Sequence, residues 1–104
     1  MAEQFDVVVL GGGPGGYAAG LYGGSAGLKV AVVEDQRVGG TCLHQGCVPA
    51  KELLQTAEVL RTIRGAADFG IGIGETEPTL DLAVGQTRKQ SVIDKLTKGT
   101  EGLL

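Results

Sequence analysis

Apolar residues form two short runs near the start of the chain. The first run covers residues 5–10 and ends at three consecutive glycines, and the second covers residues 29–33 and ends at Glu34. Continuous apolar character, in contrast to alternation, predicts strands buried on both faces, as in a parallel sheet. Between them, residues 14–27 predict a helix opened by Pro14. These elements predict a βαβ unit of about 30 residues and hence an α/β fold.

The middle of the chain predicts a second helix behind an irregular segment. Residues 38–48 contain three glycines and both cysteines, which predicts a loop. Apolar residues between positions 53 and 63 then recur at helical spacing. We expect this helix to be opened by Pro49 and to end near Gly65.

The last third of the chain is less regular at first. Residues 69–74 alternate isoleucine with glycine and predict a short strand or an extended loop. From Asp81 to about Lys98 the pattern predicts an amphipathic helix, with Asp81 as N-cap and Gly99 as its end. The sequence finishes on two apolar residues, so we expect the chain to belong to a larger fold.

Composition narrows the classes of function. The 104 residues, 20% of them charged, carry a net charge of -3, which disfavours a nucleic-acid surface or an anionic-membrane surface. The uncharged stretch 7–28 holds nine glycines and lacks the apolar density of a membrane helix. Glu3 and Asp6 stand where a signal peptide has positive charge. We therefore expect a cytoplasmic protein with no membrane segment, whose cysteines face a reducing environment.

A glycine motif follows the first predicted strand. Gly11, Gly13 and Gly16 form a G-x-G-x-x-G pattern between a strand and a helix, where backbone N–H groups can bind a pyrophosphate. Glu34 stands 23 positions after Gly11, at the end of the second strand, where a carboxylate can accept hydrogen bonds from a ribose. This arrangement predicts dinucleotide binding. The alternative is a glycine turn between packed elements, with Glu34 as a surface charge.

The two cysteines carry the second candidate chemistry. Cys47 lies just before the helix predicted to open at Pro49, and the N-terminal dipole of that helix can stabilise a thiolate. Lys51 lies in the first turn of that helix, where a cation opposes the dipole and so indicates an anionic partner. This pattern predicts a redox-active thiol pair beside an electron acceptor.

Other interpretations of this segment stay open. Cys42, His44 and Cys47 could ligate a metal, although zinc sites usually need a fourth ligand. The cysteines could also be inert. His44 could act as a general base, but a single loop histidine is more often a polar surface residue.

Together, these motifs carry a resemblance to a known family. The combination resembles the N-terminal region of the flavin-dependent disulfide reductases, and within that group it is most similar to dihydrolipoamide dehydrogenases. The similarity continues less sharply to residues 98–103 and covers essentially the whole chain. The residues that carry it are Gly11, Gly12, Gly13, Pro14, Gly15, Gly16, Tyr17, Ala18, Ala19, Glu34, Gly39, Gly40, Thr41, Cys42, Cys47, Pro49 and Lys51.

The resemblance implies an incomplete Rossmann-like FAD-binding domain with a parallel sheet, with residues 1–104 as its N-terminal part. Glu34 would hold the ribose of FAD. The pyrophosphate would be held by Gly11, Gly13, Pro14, Gly15 and Gly16, and the flavin would be lined by Gly40, Thr41, Cys42, Gly46, Cys47 and Lys51.

The resemblance also implies the reaction. Cys42 would exchange with dihydrolipoamide, and Cys47 would lie against the flavin and pass electrons to it, with Lys51 near the flavin N5 edge. Reduced FAD would then give hydride to NAD. The substrate would be dihydrolipoamide on a lipoyl carrier protein of 2-oxo acid dehydrogenase complexes, and the intact enzyme would be a homodimer.

Several departures and rivals accompany this resemblance. His44 and Gln45 stand where many members have Asn and Val, and glycines at positions 20, 23 and 24 should each weaken the first helix by about 0.5–1 kcal/mol. The NAD-binding and dimer-interface domains of intact members are absent from the 104 residues, so we expect the chain alone to be inactive. Rival functions are a glutathione, trypanothione or mercuric reductase, or a nucleotide-binding thiol module without enzymatic activity.

Overall fold

A computed structural model describes residues 2–75 and 77–104. Strands β1 and β2 pair in parallel, from Val7 opposite Val30 to Leu10 opposite Val33. The helix between them packs against both strands, which completes the predicted βαβ unit and confirms the α/β, Rossmann-like fold class. The elements are β1 (Val7–Leu10), α1 (Pro14–Ser25), β2 (Val30–Val33), α2 (Gly40–His44), α3 (Cys47–Arg64), a 3₁₀ turn (Ala66–Phe69) and α4 (Leu82–Leu103).

Two of the glycines in α1 allow the helix to approach β2 closely. A Cβ atom added at Gly20 would lie 2.7 Å from Val32 Cγ2, and one added at Gly23 would lie 2.7 Å from Val30 Cγ2. At Gly24 a Cβ atom would meet nothing within 4 Å. Gly20 and Gly23 lower the helix propensity of α1, but they also permit its close packing against β2.

The prediction that both strands are buried on both faces is wrong for this chain. Side chains alternate along a strand, and Val30 and Val32 face α1. Leu10, Val8 and Val33, on the opposite face, are 83%, 56% and 52% exposed. Helix α1 covers one face of the sheet, so the described residues bury only part of the apolar side chains of the two strands.

The segment predicted to be an irregular loop, residues 38–48, is largely helical. It contains α2, and α3 begins at Cys47, two residues before Pro49. A proline fits inside the first helical turn because the N–H groups there lack intrahelical acceptors. The predicted end of α3 is confirmed, since Gly65 is its C-cap.

Helix α4 begins as predicted and ends later. Asp81 Oδ1 accepts hydrogen bonds from the N–H groups of Ala83 at 3.0 Å and Val84 at 3.4 Å, so it is the N-cap. The helix continues through Gly99 to Leu103, because a single glycine lowers helix propensity without ending a helix. Residues 71–74 have no regular secondary structure, so of the two expectations for that segment the strand is wrong.

The described residues form an elongated shape. The radius of gyration is 20.2 Å, whereas a compact domain of this length has about 13 Å. Helix α4 packs against α3 and α2, and Arg88 Nε lies 2.6 Å from Glu52 Oε1 between α4 and α3. Ile93 and Thr97 of α4 are fully buried. Within residues 2–75 and 77–104 no helix has the length and apolar character needed to cross a membrane.

Candidate functional site

The phosphate loop, residues 11–16, connects β1 to α1. Gly11 has a φ of +105° and donates its N–H to the carbonyl of Val33 at 2.8 Å, which continues the sheet ladder by one residue. A Cβ atom at Gly16 would collide with the carbonyl oxygen of Gly11. Gly13 is the N-cap of α1 and offers no side-chain cap. The turn therefore depends on bare backbone, as the glycine motif predicts.

Glu34 lies at the end of β2 and is half-buried beside the phosphate loop. Its Oε2 accepts the N–H of Gly12 at 2.7 Å, and its Oε1 accepts the N–H of Gln36 at 3.1 Å. These backbone donors, that of Gly12 above all, hold the pKa of the Glu34 carboxyl below its ordinary value of 4.5. The alternative that Glu34 is a simple surface charge is therefore wrong, because the carboxylate fastens the loop to β2.

The cysteine segment, residues 39–51, begins with two glycines of positive φ. Gly39 and Gly40 have φ values of +117° and +62°, which L side chains rarely adopt. Leu43 is 7% exposed, and its side chain fills the space where a Cβ atom of Gly39 would stand. The segment therefore turns sharply at its start and is anchored by Leu43 inside α2.

Cys42 and Cys47 form a disulfide between α2 and the first residue of α3, with their Cα atoms 4.7 Å apart. Cys42 is half-buried and Cys47 is exposed. Gly46 lies between the helices, and a Cβ atom there would be 3.1 Å from the carbonyl oxygen of Thr41. The bare backbone at Gly46 thus allows the two helices to approach closely where the disulfide joins them.

The phosphate loop and the cysteine segment touch each other through their backbones. The N–H of Gly39 donates to the carbonyl of Gly12 at 2.8 Å. A Cβ atom at Gly40 would lie 2.7 Å from the Cα of Gly13, so these two glycines permit the contact. The two motifs, separate in the sequence, therefore meet at the N-terminus of α1.

The remaining predicted residues lie around this junction. Pro14 and Gly15 open α1 and are exposed, and a Cβ atom at Gly15 would meet nothing within 4 Å. Thr41 is exposed on α2. Lys51 is exposed on α3, one turn after Cys47 and not in the first turn, so the two residues share a face of the helix.

An open groove lies between residues 34–37, at and after the end of β2, and helix α2. Its volume is about 420 Å³, and it is walled on one side by the residues after β2 and on the other by α2. The groove reaches the junction of the two motifs, since its lining includes Glu34, which bonds the phosphate loop, and Gly40 of the cysteine segment. Its lining residues are Glu34, Asp35, Gln36, Arg37, Gly40, Thr41, His44 and Gln45.

Sequence reasoning missed the backbone bonds of Glu34 described above and, in addition, a contact of His44. His44, expected to be a polar surface residue, is half-buried, and its Nε2 lies 2.9 Å from the carbonyl oxygen of Val38. The only sequence signal was the position of this histidine between two cysteines. A contact with a backbone carbonyl leaves no residue-type pattern by which it could have been found.

A dinucleotide-type βαβ unit whose phosphate loop touches a disulfide-bearing segment, through Gly39 and Gly40, is the arrangement expected of a disulfide oxidoreductase. The family model described as pyridine nucleotide-disulphide oxidoreductase matches residues 5–104. The chain belongs to this family of flavin disulfide oxidoreductases, which confirms the resemblance drawn from the two motifs.

Curated relatives make the resemblance more specific. The chain is 50% identical to a dihydrolipoyl dehydrogenase of Bacillus subtilis (strain 168) over 104 residues, which is 100% of the chain and 22% of that protein. It is 45% identical to a dihydrolipoyl dehydrogenase of Thermus scotoductus over 98% of the chain and 22% of that protein. The corresponding protein of Acholeplasma laidlawii is 39% identical over 100% of the chain and 31% of its own length. The chain thus resembles dihydrolipoyl dehydrogenases, which are oxidoreductases, and spans between a fifth and a third of them.

Proposed function

We propose that this chain forms the FAD-binding, disulfide-bearing part of a dihydrolipoyl dehydrogenase-like enzyme. The observation that carries the proposal is the backbone contact between the phosphate loop and the cysteine segment, at Gly12–Gly39 and Gly13–Gly40. One cofactor can reach both motifs only if they adjoin. The names of the curated relatives support the same function.

The residues at the junction fit FAD in two respects. The open space above Gly15 and the uncapped N-terminus of α1 leave first-turn N–H groups available to a pyrophosphate. The Glu34 carboxylate is ionised, half-buried and at the end of β2, where a ribose can donate to it. The groups assigned to the pyrophosphate are Gly11, Gly13, Pro14, Gly15 and Gly16, and those assigned to the flavin are Gly40, Thr41, Cys42, Gly46, Cys47 and Lys51.

The cysteines exchange with the substrate. Dihydrolipoamide is oxidised to lipoamide as its two thiols become a disulfide, and the Cys42–Cys47 disulfide is reduced to two thiols, so two electrons and two protons balance. Cys42 is the thiol that exchanges, and Cys47 is the thiolate on the flavin side. The first residue of α3 is well placed for that role because the helix dipole stabilises an anion there. FAD supplies the chemistry that takes the electron pair and delivers it as hydride to NAD.

The partners follow from this assignment. The substrate is dihydrolipoamide on a lipoyl carrier protein of 2-oxo acid dehydrogenase complexes, and the whole enzyme is a cytoplasmic homodimer. Residues 1–104 form the N-terminal part of the FAD domain, and the NAD-binding and interface domains correspond to the remainder of the relatives' length. The chain by itself is then expected to bind flavin without turning over lipoamide.

Two measurements on the 104-residue chain test the proposal. Titration with FAD, followed by quenching of flavin fluorescence, should show saturable binding. After mild reduction, the flavin-bound chain should show a long-wavelength charge-transfer absorption that is lost in Cys47→Ser and kept in Cys42→Ser. The matched pair separates the two cysteines, since both variants lose the disulfide.

Each result has a defined consequence. Absence of flavin binding would contradict the proposed cofactor, and the opposite pattern in the two serine variants would exchange the roles of the cysteines. Robust lipoamide-dependent NAD reduction by the 104 residues alone would contradict the assignment of NAD binding and of the interface to the remainder of the relatives' length.

A further inference from the structure

Gly12 is held by hydrogen bonds on both of its backbone groups. Its N–H donates to Glu34 Oε2 at 2.7 Å, and its carbonyl accepts the N–H of Gly39 at 2.8 Å. Gly12 is buried, and a Cβ atom there would lie 3.0 Å from Glu34 Oε2 and 3.2 Å from Glu34 Cβ. The Glu34 side chain therefore lies directly against the backbone of the phosphate loop.

These bonds matter because the loop begins with three consecutive glycines. Glycine has more conformational freedom than any other residue, so residues 11–13 are not held by local stiffness. The N–H of Gly11 is fixed by the carbonyl of Val33 at 2.8 Å. The next N–H along the chain, that of Gly12, is fixed by Glu34, so this side chain orients the peptide unit that joins Gly11 to Gly12.

The carbonyl oxygen of the same peptide unit touches the first turn of α1. It belongs to Gly11, and a Cβ atom on Gly16 would collide with it. Because a peptide unit is planar, the bond on its N–H side fixes where its carbonyl oxygen lies. Glu34 therefore acts, through one peptide unit, on the helix end whose N–H groups are available to a pyrophosphate.

We propose that Glu34 is a positioning residue for the pyrophosphate, which it does not itself bind. By orienting the Gly11–Gly12 peptide unit it holds the loop and the first turn of α1 in the shape that receives the phosphates. A binding site that is already ordered costs less to occupy, so this bond raises the affinity for the pyrophosphate. The inference rests on the proposed function and deepens it, because the ribose contact is the role already assigned to Glu34.

The sign of the effect separates this role from a simple effect of charge. A carboxylate and a pyrophosphate are both negative and repel each other. On charge alone, removal of the Glu34 carboxylate would strengthen the binding of a pyrophosphate. A loss of affinity on its removal, measured with a ligand that offers no ribose hydroxyl, is therefore the mark of the loop contact.

The test compares two ligands by isothermal titration calorimetry of the 104-residue chain. ADP carries the pyrophosphate and the ribose of the adenosine half of FAD, whereas dideoxy-ADP lacks both ribose hydroxyls and cannot donate from them to Glu34. Glu34→Ala removes the acceptor for the Gly12 N–H. Glu34→Gln keeps an acceptor oxygen at the same distance along the side chain, and Glu3→Ala is the control for the loss of an exposed carboxylate.

We expect the dissociation constant for dideoxy-ADP to be about two- to tenfold larger in Glu34→Ala than in the parent chain, which is the range of one net hydrogen bond. Glu34→Gln should fall between the two, and Glu3→Ala should equal the parent. Far-UV circular dichroism verifies folding, and Glu34→Leu replaces the alanine variant if that variant does not fold.

Amide hydrogen exchange of the nucleotide-free chain, followed by NMR, gives a second measurement that needs no ligand. The N–H of Gly12 loses its acceptor in Glu34→Ala, and the N–H of Gly39 donates to the carbonyl of the same glycine. Both should exchange faster in the alanine variant, by about two- to tenfold, and less so in Glu34→Gln. Unchanged exchange at Gly12 would overturn the proposal.

Three binding results would also overturn it. The first is unchanged or tighter binding of dideoxy-ADP in Glu34→Ala, and the second is a loss confined to ADP, since Glu34 would then act through the ribose alone. The third is an equal loss in Glu34→Gln, which would make the charge and not the acceptor responsible. All three leave nucleotide binding by the parent chain intact. Absence of ADP binding by the parent would instead overturn the inference together with the proposed function, so the two failures are distinguishable.

Discussion

Two glycine-rich segments meet at the N-terminus of α1, and they use their glycines differently. In the phosphate loop, Gly16 is required because the backbone of Gly11 occupies the place of its side chain. In the cysteine segment, Gly39 and Gly40 supply positive φ angles, and side chains then fix the turn: Leu43 by burial, the cysteines by their bond and His44 by its link to Val38. The first segment is shaped chiefly by its backbone, with Glu34 as a side-chain acceptor, and the second is held chiefly by side chains, beside the backbone bond from Gly39 to Gly12.

This difference predicts how each segment responds to substitution. A backbone-built turn has no side chain that can move aside, so an added methyl group displaces the chain itself. A turn held by several side chains loses its restraints one at a time. Changes in the phosphate loop should therefore be large and local, and changes in the cysteine segment should be graded.

The largest effect is expected at Gly16. Gly16→Ala places a Cβ atom on the Gly11 carbonyl and should lower the free energy of unfolding by about 2 kcal/mol or more. Gly15→Ala is the matched control, because it adds the same methyl group one residue earlier into open space and should raise stability by up to about 1 kcal/mol. Urea unfolding followed by circular dichroism measures both. Similar unfolding free energies for Gly16→Ala and Gly15→Ala would contradict the conclusion that the phosphate loop depends on the close backbone contact at Gly16.

A smaller effect is expected along α1. Gly20→Ala brings a Cβ atom to 2.7 Å from Val32 Cγ2, a side chain that can shift, so the loss should be about 1 kcal/mol. Gly24→Ala meets nothing within 4 Å and should gain about 0.5–1 kcal/mol through helix propensity. Thermal unfolding of the two variants, measured side by side, tests whether the space around the new methyl group, and not helix propensity, decides if stability falls or rises.

The glycines of α1 also show how far the sequence could predict the structure. Short-range patterns in the sequence determine the type of each element and the order of strand, loop and helix. The predicted bounds of β1, α1 and β2 and the Asp81 cap are therefore close to the observed ones. A propensity scale assigns Gly20 and Gly24 the same cost, but only the packing against β2 separates them. Whether a glycine of α1 faces β2 depends on how the helix packs in three dimensions, and helix propensity does not contain that information.

The cysteine segment shows the same limit. Its residue types identify the family, but glycine content led to a loop where α2 and the start of α3 are helical. Left-handed glycines can precede a helix as readily as they break one, so composition could not decide. The link from His44 to Val38 was also beyond prediction because its acceptor is a backbone carbonyl, which every residue carries.

The smallest effect concerns Glu34, whose side chain fastens the phosphate loop. The N–H groups of Gly12 and Gln36 hold the pKa of Glu34 below its ordinary value of 4.5, so the ionised form is favoured in the folded chain. A carboxyl whose pKa is lowered by folding stabilises the fold above its ordinary pKa, and this stabilisation is lost as the pH falls through the lowered value. The difference in unfolding free energy between the parent chain and Glu34→Gln should therefore be constant near neutral pH and shrink below pH 4.5.

Glu3→Gln, at an exposed position near the N-terminus, is the matched control for the loss of one carboxylate. Unfolding titrations between about pH 7 and pH 3 compare the variants, within the range where carboxyl groups protonate. A difference for Glu34→Gln that did not change with pH would mean that the Gly12 bond stabilises the loop equally with a neutral acceptor. The phosphate loop would then need the acceptor that the Glu34 side chain supplies and not its charge. A shrinking difference would instead show that one ionised side chain contributes to a turn otherwise built from backbone.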